Sequence, residues 1–409
     1  MSIEKNLEKY AELIVVTGLN IHPGDNIALR FSVDGLELAR KIAKKAYQRG
    51  AKNVELFFND DEMTLDRYLY ASDDAFVDVP AYKVEYTEAL YKDNTHVLNL
   101  HAPNPDLLKA ADPKRIADWS KIVSLANKPV QKYTMQNLVK WTIAAVPSDA
   151  WVEAVFPELP LEEGREKLWQ SVFDATRVSE EDPIKAWEAH EKALKAHETY
   201  LNDANFEKLY FHGPGTDLEV FLVEGHHWMG GSSIHAGGDQ FFPNIPTEEV
   251  FTMPHADKVN GTLKATMPLS VRGQLVTDFH FTFEHGKVVD FDANEGKQIL
   301  EDLLNTDEGA RHLGEVALVA HNSPISNTGI LFKNTLFDEN ASCHFALGAS
   351  YAENLDGSRD RTTEENRALG SNDSLIHVDF MVGSADVTVT GVKHDGTEVV
   401  LLKDGEWQI

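Results

Sequence analysis

The sequence predicts a chain of mixed α/β and α+β class: an N-terminal domain on a parallel sheet, then a β-rich C-terminal domain. Three observations lead there. The 409 residues exceed what one hydrophobic core usually serves, so two domains are expected. Up to about residue 146, segments with helical spacing of apolar side chains alternate with short apolar runs, the order that builds a parallel sheet wrapped by helices. Beyond about residue 206 the pattern changes to period-two alternation joined by tight turns, as in antiparallel sheets. The domains are therefore placed at 1–205 and 206–409, with 147–204 read as an acidic, tryptophan-bearing helical connector belonging to the first.

The elements follow in order. Residues 4–16 set Leu7, Tyr10, Ala11 and Ile14 on one helical stripe. The turn His22-Pro23-Gly24-Asp25 leads into a strand at 26–31. Residues 35–48 make a second amphipathic helix closed by Gly50, and 54–58 is the next strand. A helix at about 80–92, a strand at 95–100, a basic and mostly helical stretch to about 137 and a strand at 141–146 complete the first pattern. In the second half, 217–223, 261–271, 275–291 and 386–396 alternate polar and apolar residues. His285-Gly286 and Asp395-Gly396 sit at hairpin turns, and one helix at about 294–305 interrupts the strands.

Charge is the unusual quantity. The chain carries 38 basic and 66 acidic residues, a net of −28. Residues 1–200 hold 25 basic against 33 acidic residues (−8), and 201–409 hold 13 against 33 (−20). Such a surplus repels phosphate backbones and anionic lipid, so neither nucleic acid nor membrane is an expected partner. A single cysteine, Cys343, excludes an intrachain disulfide and a thiolate-rich metal site, and fits a reducing compartment. The first twenty residues carry acids early and only a short apolar run, unlike a signal peptide, and no stretch approaches the ~18 apolar residues of a membrane helix. A soluble cytoplasmic protein is expected.

Several patterns resemble sites without having the needed spacing. His190-Glu191 begins like a metalloprotease helix, but the next histidine is His197, seven positions on instead of four, so a solvated helical face is expected. Residues 230–238 are glycine-rich yet lack the lysine and the strand–helix context of a phosphate loop, and read as a flexible loop. Cys343 and His344 are neighbours whose side chains point to opposite faces of an extended segment, so Cys343 is read as a small buried hydrophobe. Glu248 and Glu249 cannot flank a glycosidic bond from two sides, so at most one belongs to a given site.

The apolar segment 375–383 holds two polar residues, His377 and Asp379, whose i and i+2 spacing puts both on one face of a strand. Burying an imidazole and a carboxylate there is costly. A bound cation is one way to offset the cost, and a mutual hydrogen bond is the commoner one. Glu248, Glu249, Glu315, His344 and Tyr351 stand in similarly apolar segments. Three carboxylates and two imidazoles, without a thiolate, make a set suited to Zn, Co or Mn.

The segments NIPTEEVFT (244–252), RHLGEVALV (311–319), the run from SPISN to LGASY (323–351) and SLIHVDFMVGS (374–384), together with IHPGDN (21–26), resemble the thermophilic-type metalloaminopeptidases, the aminopeptidase T, aminopeptidase S and PepS group. The likeness extends over essentially the whole chain. It implies a cytoplasmic, generally dimeric enzyme with an N-terminal α/β domain and a C-terminal catalytic domain. Such an enzyme hydrolyses the N-terminal bond of short peptides through a water activated by two divalent metal ions. Carried over by motif, the metal ligands fall on Glu249, Glu315, His344, His377 and Asp379, and Tyr351 matches a tyrosine at the metal centre. The charges agree: two divalent cations against three carboxylates nearly balance. Zn, Co, Mn and Mg all accept such ligands. A carboxylate, Glu248 or another near the site, would carry the proton to the leaving amine, and Tyr351 would donate to the oxyanion or touch a metal. Two alternatives use the same residues: a two-metal amidase or phosphoesterase, for which 13 basic residues in the second half are few, and a non-catalytic peptide-binding protein.

Overall fold

The computed structural model describes residues 3–271 and 274–409. The chain divides into two units, one of residues up to Glu188 together with Ser232–Pro246, the other of Ala189–Gly231 with Thr247–Ile409. The class is the expected one: a parallel sheet with helices, then antiparallel sheets.

In the first unit five parallel strands run in the order Asn244–Ile245, Trp141–Ala145, Thr95–His101, Asn26–Ser32, Asn53–Asn59. The inner strand Asn26–Ser32 buries Ile27, Ala28 and Leu29 in succession, as a strand covered on both faces must. Helices Leu36–Gln48, Ala81–Lys92 and Pro113–Met135 lie at the predicted places. Helices Asp61–Tyr70, Asp149–Val155 and Leu161–Ala175 add to them. The first of these starts on Asp60, whose carboxylate accepts from the N–H of Met63 at 2.9 Å.

The division differs from the expected boundary after residue 205 in two places, each with a local cause. Helix Pro183–Ala204 begins in one unit and continues in the other. Trp187 is buried with its Nε1 donating to the Thr176 carbonyl at 2.8 Å, whereas Leu194 and Leu201 belong to the second core. Residues 232–246, read from sequence as part of the β-rich domain, supply the fifth parallel strand instead. That strand is two residues long and has no period to read. It is fixed by Ile143 N–H to the Pro243 carbonyl (2.8 Å), Thr142 Oγ1 to the Phe242 carbonyl (2.8 Å) and burial of Ile245.

A polar hub ties the IHPGDN turn to this sheet. Lys140 is fully buried, and its Nζ donates to the Asn20 carbonyl at 2.7 Å and to Asp25 at 2.9 Å. The Lys140 N–H donates to His96 Nδ1 (3.2 Å), which leaves the ring proton on Nε2, 3.7 Å from Asp25. Burial would raise the Asp25 carboxyl, but His96, the His22 N–H and Lys140 together hold it well below the usual carboxylate range. Burial also lowers His96, so its ring is neutral.

In the second unit a large antiparallel sheet runs from Leu269–Val271 through Gln274–Glu284, Pro254–Lys264, Thr216–Leu222, Phe206–Gly213, Thr388–Lys393 and Glu398–Lys403 to Glu406–Trp407, with Lys287–Glu295 paired beside Gln274–Glu284. A second antiparallel sheet has the order His377–Met381, His344–Gly348, Leu313–Leu318, Val250–Thr252, Met229–Gly230. Aromatic contacts join the two: Phe345 lies 4.9 Å from Phe211, and Phe380 lies 5.2 Å from Phe281 and 5.9 Å from Phe279. No helix among the described residues is long and apolar enough to cross a membrane.

Replacing Lys140 by Met leaves Asp25 without its cation, and removing one partner of a buried pair costs about 3–5 kcal/mol. Denaturant unfolding at pH 7 checks this. Because the folded Asp25 value lies below the unfolded one, near 3.9, its stabilisation is complete above about pH 5 and fades on acidification. The wild type is therefore expected to lose this increment progressively below about pH 5, and Lys140→Met, which keeps only His96 and the His22 N–H beside Asp25, to show a smaller acid-dependent loss.

Candidate metal centre

Alternation along the smaller sheet separates core from site. Val316, Leu318, Phe345, Leu347 and Phe380 join the hydrophobic core. Glu315, His344, His377 and Asp379 occupy the other face. Cross-strand register places Glu315 opposite Ala346, and Ala346 opposite Asp379. The flanking rows pair Ala317 with His344 and Gly348 with His377. Each long polar side chain thus neighbours a small residue, which leaves space above the sheet between the carboxylates. Gly348 is required on backbone grounds as well: its φ is +105°, and a Cβ would stand 2.1 Å from the Ile376 carbonyl oxygen. Glu249 enters from the residue just before strand Val250–Thr252.

Two trios result. In one, Glu249, Glu315 and His344 offer ligand atoms within 4.8 Å of one another, and in the other Glu315, His377 and Asp379 do the same. Glu315 belongs to both. His344 Nε2 lies 3.1 Å from Glu249 and 3.4 Å from Glu315; His377 Nε2 lies 3.4 Å from Asp379 and 3.7 Å from Glu315.

Main-chain acceptors fix both imidazoles. His344 Nδ1 contacts the Ser342 carbonyl at 3.1 Å and His377 Nδ1 the Ala349 carbonyl at 2.7 Å. A carbonyl only accepts, so each Nδ1 carries a proton and each Nε2 faces the carboxylates, the usual presentation of a metal-binding histidine. Nε2 of His344 and Oδ1 of Asp379 are buried without a properly directed hydrogen bond. Buried polar atoms are rarely left so. A cation held among them would satisfy both, so the residues present fit a divalent metal with nitrogen and oxygen ligands.

The electrostatics point the same way. Burial alone would strip the proton from His344, yet Glu249 and Glu315 raise its proton affinity well above the ordinary imidazole value. His377, also opposed by burial, is raised to about 10 chiefly by Asp379. Burial pushes Glu315 up, whereas His377 holds Asp379 below its usual range against burial. The field on this face attracts positive charge.

Tyr351 follows the His344 strand, its ring 4.7 Å from that of His377 and 6.0 Å from that of Phe251. Burial and the nearby carboxylates push its phenol well above the ordinary value, so it keeps its proton. Glu248 is buried but turned to His190, with 3.6 Å between Nε2 and the carboxylate, while its own N–H donates to Asn340 Oδ1 at 2.7 Å. Lys192, Ala193 and Ala196 are exposed as expected of a solvated face, but His190 and His197 are half-buried, which corrects that expectation for the two histidines. His190 donates to the Thr247 carbonyl at 2.8 Å, and His197 stacks on Trp407 at 4.2 Å. Neither joins a metal-binding group found among the described residues. Cys343 is buried as expected, and burial pushes its thiol up to about 11.

One carboxylate of the site escaped the sequence reading. Glu339, in the turn Glu339–Ala341, is raised well above the carboxylate range by burial and then by Asp379, Glu249 and Glu315, so it lies within their field. Its neighbour Asp338 is raised to about 7 by burial and accepts from the N–H groups of Phe332 (2.8 Å) and Asn334 (3.0 Å). Two acids within a run of buried residues just before His344 were the available signal.

The two faces of this sheet, one apolar and one gathering three carboxylates and two imidazoles, make a candidate metal centre of nitrogen and oxygen ligands. The chain belongs to the thermophilic metalloprotease (M29) family, whose profile matches residues 3–407. It is 45% identical over 404 residues to aminopeptidase 2 of Geobacillus stearothermophilus, covering 99% of this chain and 98% of that one. It is 40% identical over 408 residues to aminopeptidase T of Thermus thermophilus, covering 100% of both. The solved structure of wild-type AmpT from Thermus thermophilus matches with a TM-score of 0.94 at 40% identity, again over 100% of both chains.

Ala346→Leu would fill the space between Glu315 and Asp379 without altering a ligand. Metal affinity, measured by competition with a chelator, is expected to fall on the order of 10–100-fold, with far-UV circular dichroism unchanged.

Proposed function

We propose that the chain is a metal-dependent aminopeptidase that releases the N-terminal residue of short peptides, with two divalent ions held at one centre. The observation that carries the reading is the sharing of Glu315 between the two trios. One ion would rest on Glu249, Glu315 and His344, the other on Glu315, His377 and Asp379. Such ions lower the pKa of water towards about 7 and polarise a carbonyl.

The remaining roles belong to the chain's own residues. Tyr351, protonated and beside His377, is placed to donate a hydrogen bond to the oxygen that gains charge when the scissile carbonyl is attacked. Glu339 suits proton transfer to the leaving amine better than Glu248, because it lies within the field of Asp379, Glu249 and Glu315 whereas Glu248 is turned to His190. A free α-ammonium is drawn to the half of the chain with the −20 surplus, residues 201–409. The full-length matches to aminopeptidases from two organisms support the exopeptidase reading. Zn, Co, Mn and Mg remain compatible ions, and action in the cytoplasm as a homodimer completes the proposal.

Hydrolysis of aminoacyl chromogenic amides is expected to disappear on chelation and return with added divalent metal. N-acetylated peptides should react at least a hundredfold more slowly than free ones, and comparable rates would refute the exopeptidase reading. Full activity in the double variant His377→Ala, Asp379→Ala would refute the site.

Tyr351→Phe is expected to lower kcat on the order of 10²–10³-fold at unchanged metal content, the range for removal of an oxyanion donor. Glu339→Gln should lower kcat by at least 10²-fold with KM little changed. Steady-state kinetics with metal analysis separates these effects from loss of the ions.

A further inference from the structure

The first unit contains a cavity of about 750 Å³, within the size range of small-molecule sites. All of its lining residues belong to this unit. It opens where strands Asn26–Ser32, Asn53–Asn59 and Thr95–His101 end, since Ser32, Asn59 and His101 all line it. That place is singled out by topology. The strand after Asn26–Ser32 pairs on one side of it and the next pairs on the other, so the connections diverge there. Open parallel sheets bind ligands outside the carboxyl ends of their strands at such a switch point.

The walls say what kind of ligand fits. Arg30 and its register partner Phe57 lie on one face of the sheet, and helix Ala81–Lys92 contributes Tyr82, Lys83 and Tyr86 to the same cavity. Phe58, Tyr82 and Tyr86 are 57%, 66% and 45% exposed, unusually open for rings gathered at one place. Arg30 is steadied by donating to the Tyr91 hydroxyl at 3.1 Å, and its guanidinium stands 5.6 Å from the Phe57 ring. Two cations thus face one acid in the lining, Asp61, whose carboxyl burial pushes up. His101 adds a further ring at the end of its strand.

A nucleotide is the other usual occupant of a switch point, and the local sequence disfavours it. The turn after the first strand, Val33-Asp34-Gly35, has one glycine where a phosphate cradle needs several. Asp34 and Glu37 stand at the start of the helix that follows, where a phosphate would sit.

We propose that this cavity binds an aromatic side chain together with a neighbouring single carboxylate, the chemistry shared by the C-terminal residue of a peptide and a free aromatic amino acid. The rings take the side chain, and Arg30 with Lys83 takes the carboxylate.

The full-length protein, kept in chelator so that the metal centre is silent, is titrated calorimetrically with N-acetyl-L-phenylalanine, L-phenylalanine, N-acetyl-L-phenylalaninamide and adenosine monophosphate. At least one of the two carboxylates is expected to saturate below about 10 mM, the millimolar range of a small ligand, and the amide to bind at least tenfold more weakly. Tighter binding of the acetylated form assigns the site to a peptide C-terminus, and the reverse assigns it to the free amino acid. Lys83→Glu, an exposed position on the helix, is expected to weaken binding at least tenfold, and Glu249→Gln to leave it unchanged. No saturation, equal binding of the amide, preference for the nucleotide, or loss in Glu249→Gln but not in Lys83→Glu would each overturn the proposal. None of these readings depends on peptide hydrolysis.

Discussion

The second unit depends on one constraint: a single sheet must keep aromatic rings on one face and ionisable groups on the other. Period-two alternation makes this possible along each strand, and register makes it coherent across three of them. Phe345 and Phe380 are locked against Phe211, Phe279 and Phe281. Their neighbours along the strands, His344, Asp379 and His377, are therefore presented on the opposite face. A slip of one residue would bury charges among phenylalanines, so the core specifies the site. The cost of keeping five ionisable groups close together on the other face is offset when a cation is bound.

This constraint explains what could be read from sequence. The i, i+2 spacing of His377 and Asp379 in an apolar strand marks both the strand and its polar face. Glu315 and His344 stand out because their neighbours are apolar and buried. The inner strands of the parallel sheet were legible for the same reason, since Ile27, Ala28 and Leu29 form an unbroken apolar run. What stayed hidden depends on tertiary contacts. The strand Asn244–Ile245 is too short to carry a period and exists because Ile143 and Thr142 bond the chain beside it. His190 looked solvated because its acceptor, the Thr247 carbonyl, lies 57 positions away. Glu339 sits in a single turn, where neither helical nor strand spacing marks a facing residue.

The two units place chemistry by opposite routes. In the first, polar and aromatic residues collect at strand ends, where connections diverge and backbone geometry leaves a hollow. In the second, the candidate ligands stand along one face of the sheet or just before a strand, and the room between them exists because Ala317, Ala346 and Gly348 are small. The acid surplus follows the second route. Some of it lies at the candidate site as Glu249, Glu315, Glu339 and Asp379.

The carbonyls of Ser342 and Ala349 that orient the two imidazoles have a consequence for how such a centre persists through sequence change. Elsewhere a metal-binding histidine is often steered by a carboxylate side chain, which one substitution can delete. Here the steering groups are main-chain atoms, present whatever residue occupies positions 342 and 349. Side-chain drift at those positions therefore leaves ring tautomer and direction intact. Only a change that moves the backbone, such as one at Gly348 with its left-handed φ, can reset them. Part of the centre's orientation is thus inherited through the path of the chain rather than through the identity of particular residues.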